Sequence, residues 1–396
     1  MHPSEEIFCE KSSRLRGKTI VLGITGSIAA TESFSVIREL IRHGAKIIPV
    51  MTPNAAKLAA PDAIEFAAGL KPIIELTGQT EHVTHLGDPS AADLFLVYPA
   101  TANTISKMAQ GIDDTAVTSM ATIALGGKMP VAVVPAMHEL MLNNPAVSRN
   151  LRTLAEWGVH IIGPYRDGIR AKAASKDEIV SWAVKLLSRS DLAGRRILVV
   201  GGRSEEPIDS MRMITNRSSG KMSLALAQRA FERGAEVELW MGSCSVSMPD
   251  FLKTKRFSTV SDLITMVDTI DHDIVIMPAA LADFTPSEKR EGKIPSDESF
   301  DIKLKPVPKV LPLVRKKCAN VIGFKAESGF GLAELERRAR CRMKEYDLKA
   351  VVANDIDVAG RSTSSVILVT EKPSKNITGT KIEVSDEILN YCAEIT

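Results

Sequence analysis

Four groups of residues in this chain have the types and spacing to do chemistry. The first is a glycine turn, Gly23-x-x-Gly26-Ser27, closing the apolar run of TIVLGITGSIAA. Backbone N–H groups at such a strand-to-helix turn, joined by the hydroxyls of Ser27 and of Thr52 after IIPVM, can hold one phosphate group. The plainer reading is a tight turn with Ser27 as a helix cap. A dinucleotide site is disfavoured, because GxGxxG is absent and no acidic residue follows Met51 to take ribose hydroxyls. A Walker loop is excluded: no GxxxxGK[ST] follows the first strand, and Ser219-Gly220-Lys221 comes after a long loop, where Lys221 can still touch a phosphate. The second group is His82 and His85 in GQTEHVTHLGDPS, either of them a proton acceptor near neutral pH or simply a loop histidine. The third is a scatter of polar residues, Asn216, Asp283, Lys289 and Lys293, which on their own read as a turn before a helix and as polar loops, and the fourth is Arg340 and Lys344, four apart on one helical face. Polar-loop lysines and a charged helix such as ELERRARCRMKEYD are, taken singly, solvated surface.

These residues need a frame, and the apolar pattern supplies one. From Lys18 the chain reads as strand, Gly/Ser turn, helix with Phe34, Ile37, Leu40 and Ile41 on one stripe, Gly44 as cap, and strand AKIIPVM. The same βαβ sentence returns as RRILVVGG, a polar loop, and SSGKMSLALAQRAFERGAEVELWM, with Leu224, Leu226, Ala227 and Phe231 apolar and Gly234 at the cap. ADLFLVYPATAN and HDIVIMPAALAD form a second echo: an acidic start, a continuous apolar strand, then Pro-Ala. Continuous apolar strands are buried on both faces. The expected fold is therefore α/β, two tandem Rossmann-like three-layer domains with mainly parallel sheets and ligands beyond the carboxyl ends of the strands. The polar break SDLAGRR puts the junction near 190, giving an N-terminal extension over 1–17 and domains over 18–189 and 190–396.

Composition narrows the partners. With 50 basic and 48 acidic residues the net charge is +2, so no global field draws in nucleic acid or an anionic membrane. Five scattered cysteines without a CxxC pair argue against a disulfide framework and a zinc site and fit a reducing cytoplasm. No stretch approaches the ~20 apolar residues of a membrane span, and the charged opening MHPSEEIFCEKSSRLRGK lacks the apolar core of a secretory signal.

Several stretches together resemble one family, the bifunctional enzymes of coenzyme A biosynthesis in which phosphopantothenoylcysteine decarboxylase is fused to phosphopantothenate–cysteine ligase. GITGSIAA, HLGDPSAADLFLVYPATANTISKMAQGIDD and PAMHELM are similar to the flavin-dependent half. GGRSEEPIDSMRMITNRSSGKM, PAALADFTPSEKREGKI, GFKAE and VVANDI are similar to the ligase half, and the resemblance runs from about residue 18 to the C-terminus. It implies FMN in 18–189, with Gly26, Ser27, Ile28 and Thr52 on its phosphate side and Thr101, Ala102 and Asn103 running past the flavin. His85, eight residues before Asp93, matches the catalytic base, which takes a proton while the flavin accepts a hydride equivalent from the cysteine moiety; the resulting thioaldehyde loses CO2. Two departures stand out. The substrate clamp, commonly Pro-x-Met-Asn, reads Pro135-Ala136-Met137-His138, and GIRAKAASKDE carries Lys172 where an Ala-Cys-Gly segment commonly donates the last proton. The archaeal branch of the family is similar in these features and in its extension before LRGK.

For 190–396 the resemblance implies activation of 4′-phosphopantothenate by CTP through an acyl-cytidylate, pyrophosphate release, and displacement by the amine of cysteine. Asn216 matches the residue that handles the intermediate, Lys293 the flap lysine, and Asp283 the reader of the base. Gly202, Ser204, Ser219, Gly220, Pro278, Ala279, Lys289 and Phe324 would line the nucleotide, and Arg340 and Lys344 would approach its phosphates. Mg2+ is expected on the phosphates and water rather than in a protein cage. By the same resemblance the flavin half forms trimer-based homo-oligomers with a site shared between subunits, and the ligase half forms dimers. The alternatives are a ligase whose flavin half binds without decarboxylating, and a regulatory binding module.

Overall fold

A computed structural model describes residues 2–167, 170–288, 291–295, 301–355 and 363–395. The chain divides into two compact units, Met1–Arg189 and Ser190–Thr396. Each is built on one main sheet.

In the first unit β1 (Thr19–Ile24), β2 (Lys46–Met51), β3 (Leu94–Ala100), β4 (Val131–Pro135) and β5 (His160–Ile161) form a sheet of order β2-β1-β3-β4-β5, parallel throughout. All seven residues of β3 are buried, as the uninterrupted apolar run required. Alternate side chains enter two separate cores, Leu94, Leu96 and Tyr98 on one face and Phe95 and Val97 on the other. Helix Ser33–Arg42 buries Val36, Ile37, Leu40 and Ile41, while Phe34 is only half-covered and stacks on Phe66. A β-hairpin follows β5, formed by β6 (Tyr165–Asp167) and β7 (Arg170–Lys172).

The extension over 1–17 is not a separate piece. Leu15 is fully buried in the first unit's core, Lys11 pairs with the buried Glu39 at 2.5 Å, and Glu10 pairs with Arg42 at 2.9 Å. The opening residues thus supply a cation, an anion and an apolar plug to the helix Ser33–Arg42. A Cβ on Gly44 would meet Arg16 N and Cys9 Sγ at 2.9 Å, and its φ of 96° already favours glycine.

In the second unit the main strands are β8 (Arg196–Gly201), β11 (Glu236–Met241), β12 (Lys253–Arg256), β13 (Ile274–Met277), β16 (Val321–Glu327), β17 (Ala350–Asp355), β18 (Thr363–Val369) and β19 (Lys375–Thr380). They run in the order β12-β11-β8-β13-β16-β17-β18-β19, parallel up to β17 and antiparallel from there. Two small antiparallel pairs stand apart from this sheet: β9 (Glu205–Pro207) with β10 (Met213–Thr215), and β14 (Phe284–Pro286) with β15 (Leu304–Pro306). Helix Lys221–Glu232 buries Leu226, Ala227, Ala230 and Phe231; Leu224 is half-buried.

The echoed acidic residues have the same structural task in both units. Asp93 accepts from Thr19 N at 2.8 Å, and Asp273 accepts from Arg196 N at 2.8 Å, each tying the start of one central strand to its neighbour. The fold positions ligands by its strand order. In both sheets the winding reverses beside the first strand, between β1 and β3 and between β8 and β13, which opens a crevice at the carboxyl ends.

Candidate functional site

In the first unit the crevice between β1 and β3 is bridged by Thr25. Its fully buried Oγ1 donates to Pro99 O at 2.7 Å and accepts from Thr101 N at 3.0 Å. Gly26 follows; a Cβ there would meet Asn54 Cβ at 2.8 Å, so only glycine lets the β1 turn press against the β2 turn. Ser27 caps the short helix Ile28–Glu32, accepting from Ala29 N at 3.4 Å, and reaches Ala136 O at 3.2 Å. Thr52 caps Pro53–Ala56, and Thr101 caps Ala102–Gln110. Both are helix N-caps whose side-chain oxygens take a backbone N–H. Three helix starts therefore meet at one edge of the sheet, with Asn103 exposed beside them.

Pro135 ends β4 in the same edge, and Ala136 N donates to Ala100 O at 3.0 Å. Met137 is half-buried against the core, and His138 is exposed with Nδ1 accepting from Leu140 N at 3.2 Å. That bond leaves the proton of a neutral His138 on Nε2, facing outward from its cap. Ile28, next to Ser27, is 77% exposed, and Leu140, two residues after His138, is 75% exposed. Behind the crevice Tyr98 is buried, and burial, helped by Glu32, pushes its phenol up to about 12.

Gly26, Ser27, Ile28, Thr52, Thr101, Ala102, Asn103, Met137 and His138 thus gather at the carboxyl edge. His85 does not join them. It lies on the helix Glu81–Leu86, and its carbonyl accepts from Ala92 N at 3.1 Å, directly before the Asp93 that ties the strand starts together. Six residues of β1 separate that amino edge from the glycine turn, about 20 Å at the rise of a strand. Burial, followed by the nearby Lys46, lowers the pKa of His85, and Glu81 opposes it only in part. The ring is neutral at pH 7, and its Nδ1 is buried without a partner, as is that of His82. Lys172 ends β7 opposite Tyr165.

The second unit has a cleft of about 1320 Å³ at its switch point. The segments Asn216–Ser223 and Met277–Phe284 line it, with Phe324, Asn354 and Lys381 from later elements. Asn216 Nδ2 donates to Leu281 O at 2.7 Å and Ala280 O at 3.3 Å, so the loop after β10 is latched to the loop after β13. Asp283 is 67% exposed and pairs with Lys309 at 2.5 Å. Lys221 and Lys381 are the first residues of two helices packed on each other, Lys221–Glu232 and Lys381–Glu394. Lys381 Nζ donates to Ser364 Oγ at 3.0 Å, and burial together with the neighbouring Lys221 lowers its pKa. Two ammonium groups thus stand near each other at this cleft.

Ser219, Gly220, Pro278, Ala279, Asp283 and Phe324 line this cleft, as their motifs implied. Gly202 and Ser204 do not. Gly202 is a packing glycine, with φ 75° and a hypothetical Cβ 2.9 Å from Gly242 C and Ser243 O. Ser204 is fully buried and accepts from Ala282 N at 2.9 Å, so it shapes the loop rather than contacting a ligand. Arg340 and Lys344 are a correction as well. Helix Leu332–Glu345 is held in rotation by buried Leu335, Ala339 and Met343, which turns Arg340 to Glu336 at 2.8 Å and leaves Lys344 exposed. Arg342, on that helix, and Tyr346, which caps it, line the cleft instead, with the guanidinium 5.3 Å from the ring centroid. Lys293 is exposed and does not line the cleft; Lys289 lies outside the described residues.

Lys381, Ser364, Lys309 and Arg342 were missed by sequence reasoning. Only Lys381 carried a signal, since TKIE reads as a capping box that starts a helix. Among the described residues no cluster of three His, Cys, Asp or Glu side chains suits a metal ion, and no helix is long and apolar enough to cross a membrane.

Two family models match. Flavoprotein covers residues 9–188, and the DNA/pantothenate metabolism flavoprotein C-terminal domain covers 192–395. Curated relatives cover nearly the whole chain. The coenzyme A biosynthesis bifunctional protein CoaBC of Thermococcus kodakarensis is 40% identical over 98% of this chain and 98% of its own. Its namesake in Methanocaldococcus jannaschii is 36% identical over 98% and 96%. Among solved structures, the C-terminal domain of a coenzyme A biosynthesis bifunctional protein CoaBC matches with 29% identity and a TM-score of 0.45, covering 52% of this chain and 97% of its own.

Proposed function

The chain belongs to the family of bifunctional coenzyme A biosynthesis proteins, and from that premise we propose which residues carry out its two reactions. As a member it is both a phosphopantothenoylcysteine decarboxylase and a phosphopantothenate–cysteine ligase. Its domains divide at 189/190, and cysteines that form no disulfide among the described residues fit the cytoplasm.

In the ligase unit the carrying observation is the single cleft that gathers Asn216, Ser219, Gly220, Pro278, Ala279, Asp283 and Phe324 from three separate motifs. CTP lies along it, its base against Phe324 and Asp283 and its phosphates toward Ser219, Gly220, Lys221 and Lys381 with Mg2+ held on the phosphate oxygens. The 4′-phosphopantothenate carboxylate attacks the α-phosphorus and pyrophosphate leaves. Lys221, Lys381 and Lys293 neutralise the charge that builds on the departing oxygens. Asn216, latched to the Ala280–Leu281 carbonyls, keeps the acyl-cytidylate in line for the amine of cysteine, which expels CMP and forms the amide.

In the flavin unit the residues fit FMN. Three helix starts and a glycine whose place a Cβ would fill make a cradle for one phosphate monoester. Bound there, FMN supplies the two-electron acceptor that oxidation of the cysteine moiety requires. His138, with its Nε2–H outward, binds the substrate carboxylate. His85, kept neutral by burial, removes the substrate proton. Because His85 stands at the opposite edge of its own sheet, the base comes from a second copy of the chain. The flavin units accordingly assemble as a trimer-based homo-oligomer, while the ligase units pair as dimers. Lys172, by its place in the family pattern, or a water delivers the closing proton.

The test is a coupled assay of the full chain with phosphopantothenate, cysteine, Mg2+ and each nucleotide in turn. Phosphopantetheine, CO2 and pyrophosphate are expected with CTP. Pyrophosphate without CO2 from a yellow protein would remove the decarboxylase assignment, and equal rates with ATP would remove the base-reading role of Asp283.

A further inference from the structure

Asp209 is a carboxylate with no exposed side-chain surface, and no motif reading gives it a role. Its Oδ1 accepts from the backbone N–H groups of Met211 and Arg212, both at 2.7 Å. Its Oδ2 accepts from Arg212 Nη1 at 2.7 Å and, across the unit, from Ile294 N at 3.1 Å. Arg212 Nη1 also donates to Ile294 O at 3.1 Å, and Ser210 N donates to Gly292 O at 3.1 Å. The residues on both sides of Lys293 are therefore fixed to the turn 208–212, while Lys293 itself stays exposed.

That turn joins β9 to β10, and β10 leads directly into Asn216. Asn216 is in turn latched to Ala280 and Leu281. One rigid piece of backbone thus fixes the base of Lys293 and the position of Asn216 together. A surface loop lysine has no such register unless its neighbours are held, because its side chain is long and each flanking residue is otherwise free to move.

We infer that Asp209 is a positioning residue of the ligase, clasping the backbone around Lys293 so that its ammonium meets the nucleotide phosphates opposite Asn216. The inference rests on the reading of Lys293 as a phosphate contact. The clasp stays charged across the neutral range: hydrogen bonds from the Met211, Ile294 and Arg212 backbone amides, outweighing burial, hold the Asp209 carboxyl far below the usual carboxylate range.

The decisive variant is Asp209→Asn in the full chain. It is isosteric, but its amide nitrogen cannot accept from Ile294 N or Arg212. Three quantities are read: pyrophosphate release from CTP and phosphopantothenate without cysteine, CTP affinity by calorimetry, and hydrogen exchange of the segment containing Ile294. Pyrophosphate release should fall about 10- to 100-fold, the loss typical of a misplaced catalytic group. CTP affinity should stay within about two-fold, and Ile294 should lose protection. Gly292→Ala loosens the same joint from the other side, since its φ of 79° resists a side chain while its Cβ meets nothing within 4 Å. It should show the same split, smaller. Unchanged turnover with Ile294 still protected overturns the inference, and so does a parallel loss of CTP affinity and turnover, which marks a general folding role. Lys293→Met separates the two claims: if it keeps full turnover, the reading of Lys293 fails, whatever Asp209→Asn does.

Discussion

Mixing two inactive variants tests whether the flavin site is shared between copies. His85→Ala removes the proposed base at the amino edge of the sheet. Gly26→Val blocks the phosphate cradle at the carboxyl edge, because even a Cβ at Gly26 would stand 2.8 Å from Asn54 Cβ. The two positions are separated by the length of β1, about 20 Å, so one chain cannot bring both to the same substrate. Each variant alone should lose decarboxylation. Co-expressed in equal amounts with different tags, they should form mixed oligomers, and in the proposed ring half of the cradles would be intact. Half of those face a neighbour with an intact His85, so about a quarter of wild-type decarboxylase activity should return, as expected for a closed ring of identical heterologous contacts. Ligase turnover, measured in the same samples as pyrophosphate release, serves as the internal standard. Decarboxylation that stays at zero in verified mixed oligomers would show that both groups act within one chain and would refute the shared site.

The remaining predictions concern single groups. Thr25→Val leaves Pro99 O and Thr101 N without their buried partner, so denaturant unfolding should report a loss of about 1–3 kcal/mol; a change below half a unit would contradict the bridging role. Lys381→Met removes one of the paired ammonium groups, and calorimetry should give CTP binding about 10-fold weaker with CMP nearly unaffected; equal losses for both would place Lys381 away from the terminal phosphates. For His85, burial and then Lys46 favour the neutral ring, so its folded-state pKa lies below its ordinary 6.5. The His85-dependent limb of decarboxylase kcat/KM, which falls as the imidazole takes a proton, should therefore have its midpoint below pH 6.5; a midpoint above 6.5 would contradict the burial of the ring.

Much of the frame was legible because burial writes itself into residue order. The parallel strands, the capping glycines Gly44 and Gly234, and the Pro-Ala segments at the strand ends follow from continuous apolar runs and left-handed turns. The glycine turn and its two hydroxyl caps were legible for the same local reason, since they lie within a few residues of their own strands. Helix rotation was not legible: Arg340 and Arg342 sit two apart in one charged run, and only the packing of Leu335, Ala339 and Met343 decides which of them meets the cleft. The family resemblance implied Ser204 and Gly202 as nucleotide-lining residues, yet tight loop packing claims both.

By itself the sequence determined the two βαβ halves, the excluded dinucleotide loop and the residue types available for phosphate chemistry, all of which depend on neighbours within about one element. The tertiary structure alone decided what meets what. It separates His85 from the cradle by the length of a strand, brings Lys381 from the last helix to Lys221, and ties Asp209 to the backbone around Lys293. Those relations span tens to hundreds of residues, and their partners are set by the order in which strands pair, which no local pattern of apolar and polar residues encodes.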